Sequence, residues 1–320
     1  MNPWLSFFIS GISLGVTFLF GCVGEILTEK VGHLNLGIPG IMCIGGTSGC
    51  VALALMHGLG LPWFLVLVIA ILASFLGGVC MGLLYSFLTV TLKANQNVTG
   101  LAMTILGAGL TKAVMYRLTQ IEFGQVYLYA LKYFRFPFQS RTDELGKLGI
   151  MVYLGIVIAV AAALVLSKMR IGLHLRAVGE NPGTADAVGI NVTQYKYLVT
   201  MIGSGIAALG GLFYIMNYQG TMEAYKSIEG LGWLAVALVI FTLWKPALSI
   251  LGSFVFGILY IAGTRIPTLL GIQIHTSVTP LLEMLPYVVT IVILIVISIR
   301  KKREHQPPAS LGLPYFREER

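Results

Sequence analysis

The sequence predicts an all-α protein, a polytopic transmembrane helical bundle with nine or ten spans. The 320 residues are 57% hydrophobic and only 11% charged, whereas soluble domains carry about a quarter charged residues. Apolar runs of about 20 residues, the length that crosses a bilayer, recur along the chain between short polar breaks. The runs lack the alternation of apolar and polar residues that marks the strands of transmembrane barrels.

Nine apolar runs are clear candidate spans, at about 4–26, 41–58, 62–91, 99–118, 148–167, 197–218, 231–244, 247–264 and 286–299. A tenth crossing arises if the region 24–60 or the long run 62–91 divides further. The first run has no basic segment before it and no cleavage site, so it is interpreted as a retained span. Residues 1–300 are therefore predicted to form one membrane domain, and residues 301–320, with prolines and charges, a disordered tail.

The run 41–58 is rich in glycine and follows Gly32, Gly37, Pro39 and Gly40. This composition predicts a close-packed, broken or re-entrant helix of the kind that lines a transport pathway. Simple capping, with glycine and proline ending one helix and starting the next, is the alternative. Two further stretches are predicted to lie outside regular spans: 119–146 as an external loop with interfacial aromatics, and 265–285 as a partly re-entrant segment.

Basic residues give the orientation. Arg300, Lys301, Lys302 and Arg303 follow the last run and place that end in the cytoplasm by the positive-inside rule, and the basic loop 168–196 is placed there too. An odd number of spans then puts the amino end outside, and a tenth span would reverse this. The net charge of +8 does not indicate nucleic-acid binding, because the cations sit at span ends without interleaved aromatics.

The loop 168–196 is the longest polar segment between two spans. Leu173, Leu175, Ala177 and Val178 predict a short amphipathic helix, the letters GENPG a turn, and TADAVGIN a second short helix. Such an element is suited to docking on a soluble partner; an ordinary solvated loop is the alternative.

Motifs for chemistry are missing from the sequence. It contains no GxxxxGK[ST] for nucleotide phosphates, no HExxH and no GxSxG. The four cysteines lie in or beside apolar runs without metal-like spacing, and they are interpreted as core residues. No catalytic residue, metal or cofactor is therefore predicted in this chain. Charges within spans are also scarce, so the energy for any transport is expected to come from another subunit.

Four segments in order suggest a family. TEKVGHLNLG, from Thr28 to Gly37 and followed by Gly40, Ile41 and Met42, resembles TEKxGxLNLGxEGxM of ABC-importer permeases for simple sugars and nucleosides. KANQNVTGLA, from Lys93 to Ala102, resembles the RANQVVSGLA of that group. The segment Gly172 to Asn191 is similar to GLxLRAVGENPxAADAAGIN, and Gly230 to Pro246 resembles GRGFIALAxVIFGxWxP. The joint occurrence of the four is far more specific than any one alone.

The resemblance implies one permease of an ATP-driven importer in a bacterial cell membrane, for nucleosides or a simple sugar. Its implied partners are a second permease (a copy or a paralogue), an ATPase with two nucleotide-binding domains that uses ATP and magnesium, and an extracytoplasmic substrate-binding lipoprotein. The implied ATPase-coupling residues are Arg176, Ala177, Val178, Gly179, Glu180, Asn181 and Pro182. The implied pathway residues are Asn35, Gly37, Pro39, Gly40, Asn95, Gln96 and Asn97.

Pro39 departs from the family pattern, where many members carry glutamate, and this weakens the assignment to nucleosides more than the assignment to a permease. A self-contained secondary transporter or channel is the main alternative, and it would be expected to keep ionisable groups within its spans. A membrane enzyme would need a catalytic constellation. If the central loop couples to an ATPase, a bulky change such as Gly179→Arg is expected to release that ATPase without unfolding the permease.

Overall fold

A computed structural model describes residues 2–57, 59–120, 130–138, 144–272, 278, 281–282, 284–300 and 306–316. The helices in these ranges are α1 (Pro3–Lys30), α2 (Ile38–Met56), α3 (Trp63–Ser86), α4 (Gln96–Gln120), α5 (Ile150–Lys168), α6 (Arg170–Glu180), α7 (Pro182–Ala187), α8 (Val192–Phe213), α9 (Ile228–Phe241), α10 (Pro246–Leu269) and α11 (Leu285–Arg300). The π-helical segments Phe87–Thr91 and Tyr214–Gln219 extend α3 and α8, and the 3-10 turn Met222–Ser227 precedes α9. The predicted helical bundle is confirmed.

Eight of these helices, counted in the described ranges, are long and apolar enough to cross a membrane. They correspond to the first eight predicted spans. The ninth, α11, has 16 residues, a length of about 24 Å at 1.5 Å per residue. Trp63–Thr91 is one continuous helix, so the run 62–91 does not divide. Half of the predicted loop 119–146, and eight residues of the segment 265–285, lie outside the described residues.

The predicted break in the glycine-rich run is corrected by the structure. α2 is an unbroken helix of 19 residues, and the chain reverses before it, in residues 31–37. The glycines of α2 serve close contact instead. A Cβ on Gly45 would lie 2.2 Å from the carbonyl oxygen of Ala208 in α8, and one on Gly40 would lie 2.4 Å from that of Met103 in α4. Small residues allow such close approach between helices in lipid.

α8 lies at the centre of the bundle, against α1, α2 and α3. Glycines make these contacts too: Gly24 of α1 faces Gly203 of α8, and Gly78 of α3 faces Ser204. On its other side α1 packs along α10, where Gly15 lies against the backbone of Ser253. The helices thus meet along seams of small residues, which substitutes for a hydrophobic driving force between helices in a bilayer.

One end of the bundle carries the two short helices α6 and α7, and we call it the coupling end. The end of α1, residues 31–37, the start of α4 and the tail residues 306–316 meet there, joined by hydrogen bonds described below. The opposite end carries the start of α1 and the connection 57–62 between α2 and α3. This arrangement places the four family-like segments mainly at one end of the molecule.

Candidate functional site

The coupling end is built around the helix pair α6 and α7. α6 ends at Glu180, and the side chain of Asn181 then caps α7 by accepting a hydrogen bond of 3.0 Å from the backbone N–H of Thr184. Pro182 takes the first position of α7, where its missing N–H costs nothing. Gly189, with a φ of 86°, follows α7 and turns the chain toward α8. The prediction of two short helices separated by a turn is confirmed.

α6 lies on the end of α1 through its inner face. Leu175, Val178 and Gly179 are buried, and a Cβ on Gly179 would lie 2.2 Å from the carbonyl oxygen of Lys30. We call the surface of the pair that is not buried against the bundle its outer face. It includes the apolar side chains of Met169, Ile171, Leu173 and Val188, which are all more than half exposed. Because Ile171 and Leu173 are two residues apart, they lie on different sides of α6, so α6 is anchored on one side and exposes apolar residues at several places on the rest of its surface.

The seven residues assigned to coupling divide between these two faces. Arg176, Ala177, Glu180 and Asn181 are exposed, Pro182 is partly exposed, and Val178 and Gly179 are buried. This corrects the expectation for Gly179→Arg. The change would push α6 off α1 within this chain, so it does not isolate docking from folding. Exposed positions such as Leu173 separate the two effects.

The tail contacts this element. Ser310 donates its backbone N–H to the carbonyl oxygen of Gly179 at 3.1 Å, and Gly312 donates to that of Gly32 at 3.3 Å. The hydroxyl of Tyr315 donates to the carboxylate of Asp186 at 2.8 Å. Residues 306–316 therefore differ from the predicted disordered tail. Their backbone satisfies carbonyl groups that the turns at the end of α1 and α6 leave open.

Residues 31–37 form a buried connection between α1 and α2. Its backbone groups are satisfied by side chains from four places. Gln96 accepts from Leu34 N–H at 2.8 Å, and Glu25 from Asn35 N–H at 3.1 Å; Tyr85 donates to Leu34 O at 2.7 Å and Thr104 to Leu36 O at 2.8 Å. Buried backbone polar groups need such partners. Two side-chain atoms here, Glu25 Oε2 and Asn35 Nδ2, have no hydrogen-bond partner within the described chain.

The carboxylates Glu25 and Glu29 share the inward face of α1, as their spacing of four predicts. Both are buried. Glu29 accepts a hydrogen bond from the indole N–H of Trp244, which lies between α9 and α10 with a φ of 55°. The first and fourth family-like segments therefore touch in space, a contact that their separation in the sequence does not indicate.

The predicted pathway residues fall into two groups. Asn35, Gly37, Pro39 and Gly40 are all buried inside this chain, where Pro39 lies against Gly232 of α9 and Gly40 against α4. In the second group, Asn95 caps α4 by accepting from the N–H groups of Asn97 and Val98, Gln96 joins Leu34 to the tail, and Asn97 is exposed. The structure thus gives most of them a structural contact, and their role in a pathway stays a prediction.

An ion pair between α4 and α9 is not among the features predicted from the sequence. Lys112 Nζ lies 3.8 Å from Glu229 Oε2 in the first turn of α9, and the Lys112 side chain is 64% exposed. At 1.5 Å per residue, Lys112 is about 24 Å along α4 from its start. It lies on the outward stripe Ile105, Gly109, Lys112 and Tyr116, which the helical spacing alone could have revealed. An exposed charge inside a span is costly in lipid.

The chain matches proteins of a known family. A family model described as a branched-chain amino acid transport system permease component matches residues 7–297. The chain belongs to this permease family. The resemblance noted in the sequence is confirmed, and the permease is a multi-pass membrane protein.

Relatives of the permease include nucleoside and sugar transporters. It is 33% identical to the nucleoside ABC transporter permease protein NupC of Lactococcus lactis subsp. cremoris, over 86% of this chain and 87% of the relative. It is 28% identical to the putative glucose ABC transporter permease protein TsgC13 of Haloferax volcanii, over 96% of both. It is 29% identical to the guanosine ABC transporter permease protein NupQ of Bacillus subtilis, over 93% of this chain and 92% of the relative. The permease is thus the membrane-spanning subunit of an ABC transporter.

Proposed function

We propose that the permease imports nucleosides as one of two permease subunits driven by a separate ATPase that docks on α6 and α7. The observation that carries the proposal is the α6–α7 pair, which is anchored on α1 and exposes the apolar side chains of Met169, Ile171, Leu173 and Val188. Apolar side chains exposed at a span end in water favour a protein partner. ATP and magnesium would be used by that ATPase, and this chain would supply no catalytic group or cofactor.

The coupling end would then face the cytoplasm, and so would the carboxyl end of the chain. The basic residues of the segment 168–196 agree with this orientation by the positive-inside rule. Contact between the buried connection 31–37, the tail and α6 gives a mechanical link: a shift of α6 by the ATPase would act directly on the end of α1. A packed interface of this kind favours two discrete arrangements over continuous bending.

A docking experiment tests the ATPase partner. We expect Leu173→Asp to reduce copurification of the ATPase encoded beside the permease by at least tenfold, because a charge would replace an apolar contact. Leu59→Asp is the matched control, since Leu59 is 65% and Leu173 56% exposed, and Leu59 lies at the opposite end. Equal retention of the ATPase by both variants, or no association with wild type, would refute the docking site and favour a self-contained transporter.

The nucleoside assignment rests on the relatives named for nucleosides and guanosine. A putative glucose permease matches 96% of the chain, so a sugar is the second candidate. Cells that express the full gene cluster should take up labelled guanosine or uridine in competition with each other and not with glucose. Uptake of glucose alone would overturn the nucleoside assignment while leaving the permease assignment intact. An extracytoplasmic lipoprotein is proposed to deliver the solute.

The translocation pathway is proposed to run between this permease and a second one, along the outward face of α4. Lys112 and Glu229 support this assignment, since their exposed charges favour water or a partner protein over lipid. The buried group Asn35, Gly37, Pro39 and Gly40 would then shape α2 and α4 behind this face, and Asn95, Gln96 and Asn97 would hold its inner end. This arrangement explains why the buried group contacts other helices and not open space.

A further inference from the structure

A polar cavity of about 360 Å³ opens at the coupling end. Its walls are the π-helical end of α3, the junction of α7 and α8, and the tail. The groups that matter for binding are Lys93, Asp186, Val192, Thr193, Lys196 and Tyr315. The volume holds a small polar group and several waters, and none of the family-like roles described above requires it.

The first turn of α8 forms part of the cavity wall. Asn191 caps the helix by accepting from the N–H of Gln194 at 3.0 Å, but the N–H groups of Val192 and Thr193 have no acceptor among the described residues. Both residues line the cavity. The start of a 22-residue helix carries a partial positive charge and favours an anion at these N–H groups.

Lys196 adds a full charge to the same place. It lies one helical turn after Val192, lines the cavity and is only 3% exposed. No hydrogen bond or ion pair joins the ammonium group of Lys196 to any residue in the described chain. Burying an ammonium group without a counter-charge is unfavourable. A buried, unpartnered cation beside free helix N–H groups is what an anion site requires.

The other charged groups leave the net charge of the cavity lining positive. Lys93 lies at the cavity wall with its Nζ 4.3 Å from the ring centre of Phe316. Asp186 brings a negative charge, but its carboxylate accepts the hydroxyl of Tyr315. Burial, and then the nearby charge of Lys196, hold the pKa of His33 well below its usual value, so that ring is neutral. Two lysines therefore face one carboxylate among the described lining residues.

We propose that this cavity binds a phosphate group. The tetrahedral anion can accept hydrogen bonds from backbone N–H groups and from ammonium groups at once. Two sources share this chemistry: the headgroup of an anionic phospholipid and free inorganic phosphate. The lipid is the nearer source, because α3 presents Leu83, Leu84, Phe87 and Leu92 outward up to the cavity wall, so the cavity lies where a lipid-facing helix ends.

Occupancy would hold together three parts of the coupling end. The bound group would contact the start of α8, while the cavity wall includes the tail and the turn after α7. The tail in turn bonds to α6 at Gly179. A phosphate site here would therefore stabilise the α6–α7 element.

The test measures binding to purified full-length permease in a neutral detergent. The probes are short-chain phosphatidylglycerol, short-chain phosphatidylcholine and inorganic phosphate, and the readouts are the ligand-induced rise in unfolding temperature and lipid retention in native mass spectrometry. We expect the phosphatidylglycerol dissociation constant to be at least tenfold weaker in Lys196→Met than in wild type. Lys168→Met is the matched control, because Lys168 is an exposed lysine outside the cavity.

Lys93→Gln is a second variant, and because Lys93 is exposed, this change does not disturb the interior. We expect it to weaken phosphatidylglycerol binding threefold or more. Binding of phosphatidylglycerol alone, lost with these variants, identifies a lipid site, and competing binding of inorganic phosphate identifies a free-anion site; both support the proposal. The proposal is overturned if no probe binds wild type at millimolar concentration. It is also overturned if Lys196→Met and Lys93→Gln bind as wild type does.

Discussion

At residue 179, the absence of a side chain determines how closely α6 approaches α1. A Cβ there would lie 2.2 Å from the carbonyl oxygen of Lys30 and 3.4 Å from the backbone nitrogen of Gly32. Backbone atoms cannot yield as a flexible side chain does, so any larger residue must move the helix. Glycine is therefore needed at position 179 because α6 contacts the backbone of α1 there, and not because the loop must be flexible.

Gly179→Ala is expected to lower the free energy of unfolding by about 1–3 kcal/mol, the usual cost of forcing extra atoms into a close contact. Gly183→Ala is the matched control, since its added Cβ would meet only the Asn181 side chain at 3.5 Å and α7 would gain helix propensity of up to about 1 kcal/mol. Thermal unfolding in detergent compares the two. A stability of Gly179→Ala equal to that of Gly183→Ala would contradict the contact.

At the scale of elements, the tail acts as a strap across the coupling end. Residues 306–316 bond to α6, to the connection 31–37, to Gln96 and to Asp186 beside the cavity. Composition predicts disorder in 301–320 because of the prolines and charges there. Within 306–316 the backbone nevertheless makes hydrogen bonds to open carbonyl groups, which composition does not report.

Removing residues 306–320 is expected to speed amide hydrogen exchange in 31–37 and in 176–181 by about tenfold or more, because several stabilising hydrogen bonds are lost. Exchange in the distant α2–α3 connection should stay unchanged and serves as the internal reference. Removing only 317–320 is the matched control, since it leaves the bonds of Ser310, Gly312 and Tyr315 intact. Unchanged exchange after the longer truncation would show that the strap does not stabilise these segments.

At the scale of the whole molecule, glycines separate into those that build the bundle and those on its surface. Gly15 lies against the backbone of Ser253, whereas a Cβ on Gly109 would meet nothing within 4 Å. Gly109 shares the outward stripe of α4 with Lys112. A substitution at a glycine of the first kind tests the folding of one chain. A substitution at a glycine of the second kind tests the contacts of this chain with a neighbouring molecule.

Gly15→Val is expected to reduce the amount of folded permease severalfold, since its branched side chain would overlap the backbone of α10. Gly109→Val should leave the folded yield and unfolding temperature of the single chain unchanged but cut solute uptake by the assembled transporter at least fivefold. Size-exclusion profiles and uptake assays separate the two effects. Normal uptake by Gly109→Val would remove the outward face of α4 from the proposed pathway.

Much of this architecture was accessible from the sequence. Hydropathy gave the eight long spans, and the letters after Arg170 gave both short helices, because periodicity and capping residues are local signals. The unbroken α2 was missed because glycine in a membrane helix serves contact as readily as bending. Contacts such as Trp244 with Glu29 join residues 215 positions apart, and no local pattern encodes them. The exposure of Lys112 was not predicted, although the helical spacing of residues 105, 109, 112 and 116 places them on one face of α4.

The strap also has a practical consequence for anyone who labels this protein. A fluorescent reporter or affinity handle fused behind residue 316 would emerge beside Asp186 and α7, next to the surface proposed for the ATPase. Its bulk could then mimic a docking defect in an otherwise intact transporter. Pro3 begins α1 at the opposite end, so a label placed there leaves that surface free.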